Sequence, residues 1–199
     1  MALSKIQSES MNLADTFAFT GTVTGAGGLV HLATTEATSG SAITFNSSVM
    51  DVTQYERYVL YGNFLPDTDG NNLHWRFLDT GGTAISTTNA YGTLYEGGSL
   101  TSRNYGQICD NTGSVADDEV GAIFQSFVDF KQRGAADICA SVTSITFRTN
   151  SLTAGDDRQA SSYLRPSVVT TQPTGMTFFP AAGDFARCKI QVFGILSSA

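Results

Sequence analysis

Two stretches near the end of the chain, 174–180 and 189–196, alternate their side chains in the manner of β-strands. In the first stretch, Met176 and Phe178 are predicted to point to one face and the residues between them to the other. Pro180 lacks the backbone N–H that a sheet needs, so it should end this strand. A turn containing glycine follows, and the second stretch alternates aliphatic with polar residues. The pattern predicts a closing hairpin that belongs to a β-sandwich.

Further strand-like stretches recur at short intervals, with Gly, Asn, Asp or Pro between them. Only 15% of the residues are charged, 20 are glycine, and long amphipathic stretches rich in Glu and Lys are absent, so the composition favours sheets over helices. The sequence therefore predicts an all-β fold, a jelly-roll-like antiparallel β-sandwich. The predicted strands are 29–34, 42–46, 58–64, 73–79, 91–96, 122–131, 138–148, 164–171, 176–179 and 189–196.

The start of the chain differs from the rest, and 199 residues suffice for one sandwich with a short extension. We divide the chain into an N-terminal attachment and trimerisation segment, 1–28, and a jelly-roll domain, 29–199. Phe17, Phe19 and Val23 lie in the first segment, and a short isolated strand cannot bury them. They pack either on the domain of their own chain or on partner chains. We expect partner chains, in a homotrimer.

Charge and hydropathy exclude several functions. The net charge is −7, from 18 acidic and 11 basic residues, and no basic cluster could bind phosphates, so we expect no nucleic-acid partner. The start of the chain resembles no signal peptide, and no apolar run is long enough to cross a bilayer. We therefore expect synthesis in the cytoplasm and no membrane insertion. Cys109, Cys139 and Cys188 form no C-x-x-C pair, which favours buried thiols over a zinc site.

Residues for catalysis or cofactor binding are sparse. His31 and His74 are the only histidines, and neither a G-x-S-x-G motif nor a phosphate-binding glycine motif occurs, so we expect neither an enzyme nor a cofactor. His74 lies on the strand face opposite Trp75 and is interpreted as a polar side chain on the sheet surface. Asp67 and Asp69 form a weak Ca²⁺ candidate. A turn explains these acids better, because glycine follows them too early for an EF-hand loop.

Tyrosines could supply a flat surface on which a sugar ring packs. Tyr91, Tyr95, Tyr105 and Tyr163 lie in or beside stretches rich in Gly and Ser, which predicts exposure on loops of the sandwich. The first three are our candidates for glycan contact. Packing in the core or against a loop is the alternative for each, because aromatic side chains dominate sandwich cores. Trp75 is expected to face the core.

Several parts of the sequence together resemble a β-jelly-roll domain. They are the aromatic strand Tyr55–Pro66, the Asp-Thr-Asp-Gly turn after it, the strand at 73–77 and the two closing stretches. This domain is common at the ends of bacteriophage tail-fibre and other virion surface proteins. The resemblance covers roughly residues 42–196, with a divergent middle, and it departs from the family where Arg187 and Cys188 replace a small residue, usually Gly.

The resemblance implies a non-enzymatic structural protein of a virion, made in the bacterial cytoplasm. The expected form is a short trimeric surface fibre, either a tail fibre with a receptor-binding tip or a fibre that decorates the head. Its N-terminal segment would bind other virion proteins, and its jelly roll would face outward, where it could meet a host-surface glycan. A free carbohydrate-binding jelly-roll module is the alternative.

Overall fold

The computed structural model describes residues 29–68, 71–95, 101–112, 121–130, 140–148 and 158–196. These ranges form strands joined by turns and contain no helix, so the prediction of an all-β fold is confirmed. Within them, accordingly, no helix could span a membrane. The strands are β1 (Leu29–Ala37), β2 (Ile43–Phe45), β3 (Tyr55–Pro66), β4 (Asn71–Leu78), β5 (Tyr91–Tyr95), β6 (Thr101–Arg103), β7 (Gly106–Thr112), β8 (Ala122–Asp129), β9 (Ser141–Arg148), β10 (Arg158–Leu164), β11 (Gly175–Pro180) and β12 (Phe185–Leu196).

The strands form two antiparallel sheets that pack against each other as a β-sandwich. The larger sheet has eight strands in the order β1-β12-β3-β8-β9-β10-β5-β6, and the smaller has four in the order β2-β11-β4-β7. Alternation decides which side chains enter the space between the sheets. In β8, Phe124 and Val128 are buried, whereas Ile123 and Phe127 are exposed. Each strand thus gives one row of side chains to the core and one to an outer face.

Aromatic side chains fill the core between the sheets. The fully buried ring of Trp75 on β4 has its centroid 4.8 Å from that of Phe77 and 5.4 Å from that of Tyr91 on β5. The inward orientation predicted for Trp75 is therefore confirmed. The ring centroid of Phe130 lies 5.2 Å from that of Phe77 and 5.3 Å from that of Tyr58 on β3. Because these rings come from both sheets, their edge-to-face packing couples the two layers.

Strands β11 and β12 do not form the predicted hairpin. β11 pairs with β2 and β4 in the four-stranded sheet, whereas β12 pairs with β1 and β3 in the eight-stranded sheet. The turn between them, with Gly183 at a φ of 65°, carries the chain from one sheet to the other. The hairpin prediction was wrong because alternation shows which face is buried but not which strand is the neighbour. Met176 and Phe178 do share one face, which is the buried one, and β11 does end at Pro180, as predicted.

The prediction of a strand at 164–171 was also wrong. The strand is β10, and the chain turns directly after it, where two backbone N–H groups donate to the carbonyl of Arg165. The strand β10 was missed because its sequence is polar. Its Ser162 nevertheless points into the core, where its hydroxyl donates a hydrogen bond to Oγ1 of Thr93 at 3.1 Å. The short strands β6 and β7 were not predicted either.

Several predicted features lie outside the described residues, so the stem and the domain boundary stay predictions. These features are the segment 1–28 with Phe17, Phe19 and Val23, and the single residues Asp69 and Cys139. The side chains of Tyr95 and Cys109 are likewise not described. Cys188 is fully buried in the core, as expected of a small apolar residue.

Candidate functional site

Tyr91, predicted to be an exposed glycan contact, lies in the core. Its side chain is fully buried, and its hydroxyl accepts a hydrogen bond from the N–H of Phe77 at 2.9 Å and donates one to the carbonyl of Ile85 at 3.0 Å. Burial raises the pKa of this hydroxyl, so it stays protonated. The prediction of exposure was wrong because Tyr91 faces inward on β5, and a buried ring offers no surface to a sugar.

Tyr105 and Tyr163 lie in different parts of the fold. Tyr105 is half-buried in the connection between β6 and β7, and His74 covers one face of its ring, with centroids 3.8 Å apart. Tyr163 is 39% exposed on the outer face of the eight-stranded sheet, where its ring lies over Gly92. Tyr95 belongs to β5. The structure therefore does not bring Tyr105 and Tyr163 together as one platform for a sugar.

Asp67, one of the two Ca²⁺ candidates, follows β3 where the chain crosses between the sheets. Its N–H donates to the carbonyl of Asp184 at 3.1 Å, and its carboxylate lies beside Gly183. Among the residues that the structure describes, no three His, Cys, Asp or Glu side chains converge as a metal ion would require. The observed contacts of Asp67 hold the crossing in place.

His74 points away from the core, as predicted, but it is only 5% exposed and does not lie on open surface. The ring of Tyr105 stacks on it, and the ring of Phe179 on β11 meets it edge-on, with centroids 5.7 Å apart. Burial first, and then the charges of Arg103 and Arg76, lower the pKa of His74 to about 4. The imidazole is therefore neutral near pH 7, and its Nε2 has no hydrogen-bond partner within the described ranges.

Two arginines flank this histidine and complete a group that we name the arginine cluster. Its members are His74, Arg76, Arg103, Tyr105 and Phe179. The guanidinium carbon of Arg76 lies 4.7 Å from the ring centroid of Phe179, and its Nε donates to the carbonyl of Asn104 at 2.9 Å. The guanidinium carbon of Arg103 lies 5.3 Å from the ring centroid of Tyr105, and its Nη1 donates to the Tyr105 hydroxyl at 2.6 Å.

Sequence analysis missed the arginine cluster, because its members come from β4, β6, β11 and the β6–β7 connection, which are distant in sequence. One signal was available. Arg76 lies between two inward aromatic residues, Trp75 and Phe77, and must therefore face outward on β4. No sequence pattern indicated that Arg103 would lie close to it.

The outer face of the eight-stranded sheet carries many exposed apolar side chains, although sheets of this kind usually turn one polar face to water. The described residues include nine exposed large hydrophobic side chains, and all except Val168 point outward from this sheet. We name the other eight side chains the apolar face. They are Leu29, Tyr61, Leu94, Ile123, Phe127, Ile145, Tyr163 and Ile195, with exposures between 37% and 48%.

Strand register brings the centre of the apolar face together. Phe127 lies opposite Val59 of β3, and Val59 lies opposite Phe193 of β12. The ring of Phe193 meets that of Tyr61 with centroids 5.8 Å apart. Val59 is only 3% exposed although it points outward, because its apolar neighbours cover it. The arrangement is a hydrophobic cluster on three adjacent strands, and none of the other described strands forms a second layer over it.

Ion pairs border this apolar centre toward both ends of the strands. Arg57 and Asp129 lie 3.5 Å apart toward one end. Glu36 lies 3.6 Å from Lys189 and 3.7 Å from Arg187 toward the other. An apolar centre with a charged rim is the composition of a protein–protein interface.

The two packed sheets define the protein as an antiparallel β-sandwich, a class whose members carry many unrelated functions. No family model matches the chain, and no curated protein is similar to it. Its function therefore has to be inferred from its own two outer faces.

Proposed function

We propose that the protein is a non-enzymatic structural protein of a phage particle. In this proposal it is a short homotrimeric surface fibre that its N-terminal segment anchors to other virion proteins and whose sandwich faces outward. The apolar face is the observation that carries the proposal, because its side chains stay exposed within the described part of the chain and a partner would take them out of water. The resemblance of the strand block around Tyr55–Pro66 to virion surface proteins supports the same conclusion.

The size of the apolar face suits self-association. Eight side chains that expose 37% to 48% of their surface leave roughly 600 Å² of apolar area, if each large side chain contributes about 200 Å² when free. A standard protein–protein interface buries about 800 Å² on each partner. The apolar face and its charged rim together reach this range, so a second copy of the chain is a fitting occupant.

The connection to the N-terminal segment favours the same assembly. Residue Leu29, where the segment 1–28 joins the domain, begins β1 at the edge of the eight-stranded sheet. Its side chain is 47% exposed and lies opposite Ile195 on the apolar face. A stem that brings three chains together would therefore deliver the domains with their apolar faces near the trimer axis.

The oligomeric state tests the proposal. We expect light scattering on the full chain to give about three times its mass of 21.1 kDa at micromolar concentration. Phe127→Glu places a charge in the centre of the apolar face, and we expect it to shift the protein toward the monomer. A truncated chain that begins at Gly28 should also form a weaker trimer.

Val168→Glu is the matched control, because Val168 is 37% exposed but lies in the turn after β10 and not on a strand of the eight-stranded sheet. It should leave the trimer intact. A full chain that is monomeric, or a control variant that dissociates as Phe127→Glu does, would contradict the assembly through this face.

The location in the particle tests the rest of the proposal. Antibodies against the sandwich should label purified particles of the phage that encodes the chain, whereas antibodies against residues 1–28 should not reach their target. Absence of the protein from every particle would favour the second candidate, a free carbohydrate-binding module. The arginine cluster is the observation that supports that candidate, because its two arginines are partly exposed and do not belong to the apolar face.

A further inference from the structure

The arginine cluster concentrates positive charge on an acidic protein. The chain has 18 acidic and 11 basic residues, yet Arg76 and Arg103 both lie close enough to His74 to lower its pKa. Within the described ranges, no carboxylate forms an ion pair with either guanidinium. Two half-buried cations without a carboxylate between them repel each other, and an anion placed there would remove the repulsion.

Arg76 is held in a geometry that suits an anion. Its Nε donates to the carbonyl of Asn104, and its guanidinium packs over the ring of Phe179. Both Nη groups are left without an acceptor among the described residues. A guanidinium that presents its two Nη groups offers parallel N–H donors at the spacing of the two oxygens of a carboxylate.

Arg103 is fixed on the other side of the cluster. Its Nη1 donates to the hydroxyl of Tyr105 at 2.6 Å, and its Nε donates to Oγ1 of Thr101 at 3.3 Å. Its Nη2 has no acceptor within the described part of the chain. Since both side chains are already ordered by these contacts, binding costs little of their conformational entropy.

The surroundings can also recognise hydroxyl groups. Exposed Thr101 accepts a hydrogen bond from Nε of Arg103 through its hydroxyl, and half-buried Asn104 accepts one from Nε of Arg76 through its backbone carbonyl, so both residues adjoin a guanidinium group. His74 beneath Tyr105 is neutral, so the charge of the cluster comes from the arginines alone. The site therefore combines a fixed positive fork with neutral polar groups.

We infer that the arginine cluster binds the carboxylate of an acidic saccharide. The choice of a saccharide as the carrier rests on the proposed function, in which the domain faces a host surface. Sugar hydroxyls beside the carboxylate would use Thr101 and Asn104, whereas a simple anion would use only the arginines.

A titration of the full chain by calorimetry and by NMR tests this inference. D-glucuronate is the probe, and D-glucose, acetate and phosphate are the comparisons. We expect glucuronate to shift the Nε–H signals of Arg76 and Arg103 and the ring signals of His74, and to bind about tenfold more tightly than acetate or phosphate. Glucose should produce no shift at these residues.

Variants distinguish recognition by the paired N–H donors of a guanidinium from a general effect of net charge. Arg76→Gln and Arg103→Gln should each weaken glucuronate binding about tenfold, which is typical of losing one charged hydrogen-bonding partner. Arg76→Lys keeps the charge but loses the fork, so we expect a several-fold weakening. Arg158→Gln removes the same charge at the start of β10, a strand that pairs with neither β4 nor β6, and it should leave the affinity within twofold.

Three outcomes would overturn the inference. In the first, glucuronate at tens of millimolar causes no shift at the cluster in the native chain. In the second, acetate or phosphate binds as tightly as glucuronate, and in the third, Arg158→Gln weakens binding as much as Arg76→Gln does. Circular dichroism of each variant checks that the sheets are retained, and Arg103→Gln tests the site if Arg76→Gln does not fold. The titration tests saccharide binding without a particle, whereas particle labelling tests the location of the protein. Either experiment can therefore fail while the other succeeds.

Discussion

Two core tyrosines provide a matched test of how buried hydroxyl groups contribute to stability. Tyr91 and Tyr58 are both fully buried, and burial raises the pKa of both hydroxyls. The hydroxyl of Tyr91 accepts from the N–H of Phe77 at 2.9 Å and donates to the carbonyl of Ile85 at 3.0 Å. The hydroxyl of Tyr58 has no hydrogen-bond partner among the described residues. The same substitution should therefore have opposite consequences at the two positions.

Tyr91→Phe removes two hydrogen bonds and leaves two backbone groups in the core without this partner. An unsatisfied buried group costs about 1–3 kcal/mol, so we expect the free energy of unfolding to fall by about 2–4 kcal/mol. Tyr58→Phe removes a hydroxyl that is buried away from water and has no hydrogen-bond partner among the described residues. We expect it to change the free energy of unfolding by less than about 1 kcal/mol, in the stabilising direction.

Urea unfolding followed by fluorescence measures the difference, because Trp75 is the only tryptophan and lies in the core. Protein concentration has to be equal for all variants, since association adds to apparent stability. For a chain of this size, Tyr91→Phe should lower the melting temperature by roughly 5–15 °C. If Tyr58→Phe destabilises the protein as much as Tyr91→Phe does, hydrogen bonding of the hydroxyl is not what distinguishes the two sites.

Two further predictions concern packing and pH. Gly106→Ala should destabilise the protein by about 1–3 kcal/mol, because a Cβ there would overlap the buried ring of Trp75. Gly81→Ala is the control, since its Cβ would meet only a side-chain oxygen at 3.3 Å in an exposed turn, and equal losses in urea titrations would contradict the packing argument. The free energy of unfolding should fall as the pH drops from 7 to 5, because of His74. Its pKa is about 4 in the fold against 6.5 when unperturbed, so over this range it is mainly the unfolded chain that takes up the proton. This effect amounts to about 2 kcal/mol at pH 5, and His74→Gln should remove it, whereas an unchanged pH dependence in that variant would argue against a depressed pKa.

Side-chain alternation was enough to predict the layers of the fold. The strand predicted at 122–131 is found as β8 (Ala122–Asp129), with its aromatic residues Phe124 and Phe130 in the core. Alternation has a physical cause, since it reports which side chains leave water when a sheet is covered on one face. It carries no information on the neighbouring strand, which explains why β11 and β12 were wrongly joined as a hairpin.

The candidate sites were harder to predict, because both depend on contacts between distant segments. Tyr91 was expected on the surface from the Gly- and Ser-rich residues around it, but its position on β5 points it inward. His74 does point outward, and it is buried only because Tyr105, which follows β6, covers it. The apolar face could have been suspected from Ile123 and Phe127, which alternate with core residues on β8 and therefore had to lie outside.

The two outer faces of the sandwich have opposite chemistry, and this difference separates assembly from recognition. The apolar face covers the outside of the eight-stranded sheet, whereas His74, Arg76 and Phe179 of the arginine cluster lie on the outside of the four-stranded sheet. Arg103 joins them from β6, the edge strand of the eight-stranded sheet. Because the two sheets pack with about 10 Å between them and turn their outer faces in opposite directions, association through one face cannot cover the other. A trimer closed by its apolar faces would therefore keep three arginine clusters in water. Three weak sites on one body gain affinity for a surface that carries many copies of a ligand, so assembly through one sheet would strengthen binding through the other without any contact between them.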